Sequence, residues 1–401
     1  MAQPETPYRI EPCLLDEFPV ELADVIGDMV SEAARLGQRL HPKTASSLAD
    51  LVRVMNCYYS NLIEGHNTRP HDIERALADE IESDIERRDL QLEARAHIRV
   101  QRLIDRTFAA GELDEPASVQ FIRFLHREFY RDAPERSLRV EGDGIAFDMA
   151  PGEFRNLREH DNVVGRHQPP SSGKVAEFMA YFEQRYRFAS LGTAARVVAM
   201  AAAHHRLNFV HPFADGNGRV SRLMSHAMGL KAGIGAHGLW SISRGLARGL
   251  RDAGEYKRMM DMADAPRRND TDGRGNLSRA SLVDFVIWFC RVSLDQIRFM
   301  RELFELDSLS QRLDAYVRSA LAGGDGAAAL AAEALRRGQL HRGEASRITG
   351  RSERTARDVL SKLIDAGMFA SETPKGPVSL RFTSDSADAL FPRLFPAQAA
   401  D

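Results

Sequence analysis

The chain has 401 residues, a net charge of −3 and 43% hydrophobic residues, which are ordinary values for a soluble globular protein. This charge balance excludes a global attraction to nucleic acid, and the length predicts two or three domains. Three distant cysteines offer neither a metal-ligand spacing nor a disulfide framework, so we expect a reducing, cytoplasmic location. The polar N-terminus is unlike a signal peptide, and no apolar run is long enough to span a membrane. No membrane partner is therefore expected.

Most predicted elements are helices. An extended arm over residues 1–20 precedes three stretches with apolar residues at helical spacing, which are 21–40, 45–63 and 70–89. The apolar run 282–290 is also predicted to be a core helix, although its apolar residues would fit a strand as well. The fold class is therefore mainly α.

A stretch of twelve residues, from His211 to Arg222, carries the most specific chemistry. Gly216 and Gly218 permit positive φ and a close approach of the backbone to a ligand. The turn leads into a predicted helix N-terminus, which favours anions. Arg219 and Arg222 share one helical face, and their planar guanidinium groups match phosphate oxygens. An imidazole takes up a proton near neutral pH, so His211 is a candidate base.

This stretch, His-Pro-Phe-Ala-Asp-Gly-Asn-Gly-Arg-Val-Ser-Arg, resembles the core motif of the Fic family without a departure at any fixed position. The resemblance implies a Fic-type helical bundle with a β-hairpin flap, which binds ATP and Mg²⁺ and transfers AMP to a protein hydroxyl. It implies that His211 is the catalytic base, that Phe213 is a buried structural anchor and that Asp215 holds the metal. A carboxylate is also the kind of ligand that Mg²⁺ prefers.

The remaining motif residues are implied to bind the phosphates of ATP. The turn formed by Gly216, Asn217 and Gly218 would cradle the α- and β-phosphates, with the Asn217 side chain as an additional donor. Arg219 would stabilise the β-phosphate as pyrophosphate leaves, and Arg222 would contact the γ-phosphate. Transfer of this type consists largely of positioning and charge stabilisation, so a base, a metal and two arginines are sufficient groups.

A second motif lies upstream, where residues 60–65 read Ser-Asn-Leu-Ile-Glu-Gly. It resembles the inhibitory motif of the Fic family, with Ser60, Glu64 and Gly65 at its fixed positions. The resemblance implies that Glu64 pairs with Arg222 and so removes the partner of the γ-phosphate. Gly65 also suits the C-terminal cap of the predicted helix 45–63.

Two further segments resemble parts of the Fic fold that surround the active site. Residues 145–168 contain Pro-Gly-Glu-Phe-Arg at 151–155 and Asn-Val-Val-Gly-Arg at 162–166. They resemble the flap, a hairpin that holds the target segment by strand addition. Residues 242–246 and Tyr256 resemble the side that flanks the nucleotide base, which predicts that Tyr256 lies near the adenine.

The C-terminal segment has a pattern of its own. Residues 344–360 predict two helices joined by a tight turn at Gly350, and residues 377–382 alternate like a strand, so the segment resembles a winged helix-turn-helix domain. Residues 336–382 hold ten Lys or Arg against five Asp or Glu. Three of these arginines follow a stripe of the second helix: Arg351, Arg354 and Arg357. DNA is a candidate partner for this segment, and a protein-contact module is the alternative.

These patterns divide the chain into an N-terminal helical region with the inhibitory helix (1–95), a Fic core (96–308), and a linker helix with the winged helix-turn-helix domain (309–401). The function indicated is a protein adenylyltransferase that moves AMP from ATP to a Tyr, Ser or Thr hydroxyl of an unidentified target, under inhibition by Glu64. Self-modification and a homodimer stay open. Two alternative functions also stay open: a Fic enzyme that removes AMP, and a DNA-binding regulator whose core senses nucleotide.

Overall fold

In the computed structural model of the chain, residues 5–66, 68–142, 145–161, 167–319 and 324–396 are described. Helices dominate this part of the chain, which confirms the predicted mainly α class. In chain order the helices are α1 (Val20–Arg35), α2 (Pro42–Ile63), α3 (Pro70–Leu77), α4 (Ile85–Ala109), α5 (Val119–Tyr130), α6 (Glu135–Leu138), α7 (Val175–Tyr186), α8 (Thr193–Val210), α9 (Asn217–Lys231), α10 (Ile242–Arg248), α11 (Glu255–Ala263), α12 (Arg279–Leu303), α13 (Leu306–Ser319), α14 (Asp325–Arg337), α15 (Ala345–Thr349), α16 (Glu353–Asp365) and α17 (Ser384–Leu390).

The chain divides into two compact units that interleave along the sequence. The first consists of Met1–Ala33, Asn56–Gly235 and Ser241–Gln296, and the second of Ala34–Met55, Ala236–Trp240 and Ile297–Asp401. This division differs from the three consecutive domains predicted, because the first part of α2 packs with C-terminal residues. Within the second unit, for example, the buried Thr44 hydroxyl donates to the Leu335 carbonyl at 2.9 Å.

The core of the first unit is built around α8 and α9, which pack against each other, while α4 and α5 pack against α9. Helix α8 is buried on nearly every side, as expected for an apolar helix at the centre of a bundle. Capping side chains account for the starts of α4 and α5. The Asp84 side chain accepts from the Arg87 N–H at the start of α4, and the Ser118 hydroxyl accepts from the Phe121 N–H at the start of α5.

A small antiparallel hairpin precedes the predicted flap segment. Strand β1 (Arg139–Gly142) pairs with β2 (Ile145–Asp148), with Val140 opposite Phe147. The prediction placed a hairpin within residues 145–168, whereas Ile145–Asp148 pairs with residues that come before it in the chain. The signal for β1 was weak, because the charged side chains of Arg139 and Glu141 give it little strand character. The predicted second part of the flap, residues 162–166, lies outside the described residues.

The second unit contains the C-terminal elements. Helices α14, α15 and α16 are followed by a short hairpin of β3 (Phe369–Ala370) and β4 (Ser379–Leu380), and Leu340 bridges to Val378. Gly350, with φ of +63°, ends α15, and the Ser352 hydroxyl caps α16. The helices and the turn lie where the sequence predicted them.

Among the described residues, no helix combines the length and apolar character needed to cross a membrane. All three cysteines, Cys13, Cys57 and Cys290, are buried free thiols.

Candidate functional site

The predicted motif forms the loop between α8 and α9. Helix α8 ends at Val210, and His211 takes the left-handed conformation with φ of +48°. Gly216, with φ of +79°, is the residue before α9, which begins at Asn217. The backbone therefore turns sharply at both ends of the loop, and the N–H groups of the first turn of α9 form an anion-favouring helix terminus.

The side chains of Phe213 and Asn217 close this loop. Phe213 is fully buried, its N–H donates to Asn217 Oδ1 at 2.9 Å, and Asn217 Nδ2 donates to the Phe213 carbonyl at 2.8 Å. The anchor role predicted for Phe213 agrees with this burial. The Asn217 side chain, predicted to donate to phosphates, bonds to the Phe213 backbone, because the tight loop leaves these backbone groups to be satisfied locally.

His126 on α5 packs against the loop and bonds to its backbone. Its ring stacks on Phe213 with centroids 4.0 Å apart. Its Nδ1 accepts from the Gly152 N–H at 2.8 Å, and its Nε2 lies 3.2 Å from the Asp215 carbonyl oxygen. Since Nδ1 is an acceptor, Nε2 carries the proton and donates to Asp215. Burial lowers the pKa of His126 to about 4, so this ring is neutral and structural.

Arg155 holds the other end of the loop. Its side chain is almost fully buried and donates to the carbonyls of Pro170, Val210 and His211, the last at 2.7 Å. The carbonyls at the end of α8 lack helical partners, so a buried guanidinium satisfies them directly. Burial lowers the pKa of Arg155 to about 10, which still leaves it charged at neutral pH. Arg155 thus fixes the backbone of the candidate base.

His211 is neutral at physiological pH. Burial lowers its pKa to about 4, with further contributions from the positive charge of Arg155 and from His167. A neutral imidazole can accept a proton, which is the state that a general base requires. The geometry of the loop therefore presents an imidazole in its proton-accepting form.

Asp215 points to the opposite side of the loop and meets two donors. The Tyr130 hydroxyl donates to Asp215 Oδ2 at 2.7 Å, and Arg219 Nη1 lies 3.5 Å from the same oxygen. Burial raises the pKa of Asp215, but Arg219 and the Tyr130 hydrogen bond outweigh it, so the pKa lies below the ordinary value. The carboxylate is ionised and 55% exposed. It fits Mg²⁺, which binds through one or two carboxylates together with substrate phosphates.

Arg222 is enclosed by the end of α2. Its Nε donates to the Ser60 hydroxyl at 2.9 Å, and its Nη2 pairs with Glu64 Oε1 at 2.5 Å. The Arg222 side chain is only 1% exposed, whereas Glu64 is 30% exposed. Burial raises the pKa of Glu64, but the charges of Arg222 and Arg219 lower it by more, so Glu64 is ionised. Gly65 follows with φ of +89° and ends the helix as expected.

The Glu64 carboxylate also lies directly on the glycine turn. A Cβ built on Gly218 would stand 2.5 Å from Glu64 Oε1 and 3.0 Å from Arg222 Nη1. The place that an anion would take at the start of α9 is thus occupied by the chain's own carboxylate. The predicted inhibitory residue and the predicted phosphate-binding residues are brought together at this point.

Arg219 has a carboxylate partner of its own, Glu93 on α4. Arg219 Nε lies 2.9 Å from Glu93 Oε1, and Nη2 donates to Oε2 at 3.1 Å. The nearby Glu93 carboxylate also raises the pKa of His66, whose Nδ1 lies 3.6 Å from Glu93 Oε2. Arg219 is thereby held by two nitrogens, and its pKa lies above the ordinary value because nearby anions outweigh its burial.

Tyr256, predicted to lie near the adenine, is buried in the core. It is 8% exposed, and its hydroxyl lies 2.9 Å from Nε2 of the buried His204. His204 in turn contacts the Ser225 hydroxyl through Nδ1 at 2.9 Å. The hydroxyl therefore serves a buried polar network, as expected for a tyrosine packed inside a helical bundle.

Sequence reasoning missed three residues of this site: Glu93, His126 and Tyr130. Glu93 lies in a helix rich in charged residues, where no pattern distinguishes it from its neighbours. His126 and Tyr130 follow the apolar stripe of α5 and resemble ordinary core residues. Their roles arise from contacts with residues about 90 or more positions away, and these were not predictable from local spacing.

Comparison with known proteins matches the segment that holds the motif loop. The Fic/DOC family model matches residues 116–228. The protein adenylyltransferase Fic of Drosophila erecta is 40% identical over 103 residues, which are 26% of this chain and 20% of the relative. That of Drosophila melanogaster is 40% identical over 82 residues, 20% of this chain and 16% of the relative. The chain thus spans about a fifth of the length of these curated relatives.

Solved structures share the fold. A Fic family protein from Desulfovibrio desulfuricans G20 aligns with a TM-score of 0.52 at 18% identity, over 94% of this chain and 99% of that one. A Fic domain containing signaling protein from Bacteroides thetaiotaomicron VPI-5482 aligns with a TM-score of 0.51 at 20% identity, over 69% of this chain and 97% of that one.

Proposed function

Because residues 116–228 form a Fic/DOC family domain, we propose that the chain is a protein adenylyltransferase that uses ATP and is held inactive by Glu64. One observation carries the proposal. A base, a carboxylate, a glycine turn and two arginines stand together, and the chain's own Glu64 places an anion beside Gly218 and Arg222. A site that needs an internal anion to fill its anion-binding turn is suited to a polyphosphate.

The reaction would begin with proton removal from a hydroxyl of the target protein. Neutral His211 accepts the proton, and the hydroxyl oxygen attacks the α-phosphorus of ATP. A new P–O bond to the target forms as the bond between the α-phosphorus and its bridging oxygen breaks. The electron pair of that bond leaves with pyrophosphate. The low pKa of His211 keeps the imidazole unprotonated until the hydroxyl is bound.

The phosphates would be held by the start of α9 and by the two arginines. Backbone N–H groups that follow Gly216 face the α- and β-phosphates, Arg219 balances the charge of the departing pyrophosphate and Arg222 binds the γ-phosphate. Asp215 would hold Mg²⁺, which neutralises phosphate charge when bound. The ionised, half-exposed state of Asp215 supports this assignment.

Inhibition follows from the same contacts. As long as Glu64 occupies Arg222 and the Gly218 turn, a triphosphate meets a like charge where its γ-phosphate should lie. Release requires the end of α2 to move or Glu64 to be removed. We therefore expect the unaltered chain to transfer AMP slowly and the Glu64→Gly variant to transfer it fast.

The experiment is label transfer from α-labelled ATP with Mg²⁺, in a lysate and with the chain alone. The unaltered chain, Glu64→Gly, and Glu64→Gly combined with His211→Ala are compared. Label on protein with Glu64→Gly, and its loss with His211→Ala, supports the proposal. No protein labelling by Glu64→Gly, although this variant binds ATP, would overturn it. Release of AMP from a labelled target by the unaltered chain would favour the AMP-removing alternative.

We also propose that the C-terminal unit contacts DNA, because three arginines on or next to α16 are exposed: Arg351, Arg354 and Arg357. The turn between α15 and α16 and the following hairpin are compatible with a winged helix-turn-helix. Fluorescence anisotropy of the full chain with duplex DNA at rising salt tests this. Replacing the three arginines by alanine should weaken binding and reduce its salt dependence, while Arg336→Ala should have less effect. Equal binding by both variants would exclude the stripe.

A further inference from the structure

We propose that Glu93 is a positioning residue, which fixes Arg219 in the orientation that meets the β-phosphate. The inference rests on the proposed use of ATP and extends it to a residue outside the recognised motifs. Glu93 and Glu64 both pair with an arginine of the motif, but the geometry assigns them opposite effects on nucleotide binding. Glu64 blocks Arg222, and Glu93 prepares Arg219.

Different partners contact different nitrogens of the Arg219 guanidinium. Glu93 takes Nε and Nη2, at 2.9 and 3.1 Å. Nη1 points away from Glu93, where it donates to the Tyr130 hydroxyl at 3.2 Å and lies 3.5 Å from Asp215 Oδ2. One edge of the guanidinium is thus anchored and the remaining nitrogen faces the metal ligand. A β-phosphate that shares Mg²⁺ with Asp215 would lie beside this nitrogen.

Glu93 stands on a long helix that packs directly against the helix of Arg219. It lies inside the 25-residue α4, next to the buried Ala94 and close to the buried His97. The ring of Phe129 lies 5.7 Å from the Arg219 guanidinium carbon and covers its face. The backbone of Glu93 is therefore fixed by α4, in contrast to a residue at a helix end. It acts as a fixed support.

Loss of the Glu93 charge would leave Arg219 to pair with another carboxylate. The Arg219 side chain is 8% exposed and needs an anionic partner in the site. Asp215 is the other carboxylate in ion-pair contact with Arg219 among the described residues. With Glu93 neutralised, Arg219 is expected to turn towards Asp215 and close the space of the metal and the β-phosphate. Glu93 therefore limits the contact between Arg219 and Asp215 to the 3.5 Å approach of Nη1.

The test compares nucleotides that differ by one phosphate, in the Glu64→Gly background. Binding of fluorescent ADP and AMP is measured with Mg²⁺ for Glu64→Gly and for Glu64→Gly with Glu93→Gln. Gln keeps the size of the side chain and removes its charge. We expect ADP affinity to fall about tenfold, the scale of one charge-assisted hydrogen bond, and AMP affinity to stay within about twofold, because AMP has no β-phosphate.

A double-mutant cycle separates positioning from general damage. If Glu93 acts through Arg219, Glu93→Gln has no further effect on ADP affinity once Arg219 is replaced by alanine. The melting temperature of each variant is recorded, and Glu93→Asp, which restores the charge, should recover part of the ADP affinity. Equal loss of ADP and AMP affinity would indicate a structural role and overturn the inference, and so would a gain in ADP affinity with Glu93→Gln.

The outcomes also separate this inference from the proposed function. If Glu93→Gln leaves ADP affinity unchanged while Glu64→Gly still transfers AMP, the proposed role of Glu93 is overturned and the proposed function stands. Failure of every variant to bind ATP, ADP or AMP would overturn the proposed function and the inference that rests on it.

Discussion

The two arginines of the motif stand three residues apart on one helix, and each is paired with a carboxylate from elsewhere in the chain. Arg222 pairs with Glu64, which follows the last residue of α2 and is 30% exposed. Arg219 pairs with Glu93, which stands within α4 and is 18% exposed. Similar ion pairs therefore differ in how freely the carboxylate can leave. We propose that this difference in backbone position and exposure separates an inhibitory carboxylate, Glu64, from a supporting one, Glu93.

The strongest test of this comparison is to remove the charge of each carboxylate in turn. We expect Glu64→Gly to raise AMP transfer on the order of 10²-fold, the scale of coupling between competing ligands. Glu93→Gln alone should not raise transfer, because Glu64 still occupies Arg222. Initial rates of label transfer from α-labelled ATP give both numbers. A comparable increase with Glu93→Gln would show that the two pairs act alike.

A milder change loosens the Arg222 pair without removing it. Ser60→Ala deletes the hydroxyl that accepts from Arg222 Nε at 2.9 Å. We expect transfer to rise about tenfold, less than with Glu64→Gly, since one hydrogen bond to a charged group is lost. The same rate assay measures it, with Ser293→Ala as the control, because Ser293 is a buried serine that bonds within its own helix. An unchanged rate would mean that Glu64 alone holds Arg222.

A smaller effect is expected on the side of Arg219. Tyr130→Phe removes the donor to Asp215 at 2.7 Å and an acceptor of Arg219 Nη1. In the Glu64→Gly background we predict that about threefold more Mg²⁺ is needed for half-maximal transfer, because the pKa of Asp215 rises and Arg219 is less well oriented. Titration of Mg²⁺ checks this. Tyr186→Phe is the control, since that buried hydroxyl contacts Cys13. If both variants need the same Mg²⁺ concentration, Tyr130 does not orient Asp215 or Arg219.

The smallest expected change is with pH. The pKa of free His211 is lowered to about 4, so the neutral, active form persists as pH falls and protonates only near that value. For Glu64→Gly, kcat/KM reports groups of the free enzyme and should change less than about twofold between pH 8 and 5.5. It should then fall as pH approaches about 4. A tenfold loss by pH 5.5 would mean that His211 keeps the pKa of an ordinary histidine.

How much was predictable depended on the range of the contacts. The loop from His211 to Arg222 and the helix that ends before Glu64 have local signals, namely glycines at turns and apolar residues at helical spacing. Their pairing came from family resemblance. Glu93 could not be predicted, because its role depends on α4 and α9 packing side by side.

Two side chains predicted to lie near the nucleotide have partners within the chain for the same physical reason. Buried polar groups take the nearest partner in the folded chain. The Tyr256 hydroxyl therefore contacts His204, and the Asn217 amide contacts the Phe213 backbone. Neither partner was evident from the residue type alone. The interleaving of the two units was equally invisible, because residues 34–55 look like an ordinary N-terminal helical stretch.

The absent side chain of Gly218 has a consequence for how such a protein can change over generations. A Cβ at this position would meet the ends of the Glu64 and Arg222 side chains, so a substitution there would disturb the Glu64 contact and the proposed phosphate-binding turn together. Glu64, in contrast to Gly218, is not part of the proposed phosphate-binding turn. Glutamate and glycine codons differ by a single base, so under the proposed inhibition a variant that lacks the Glu64 carboxylate is one nucleotide change away.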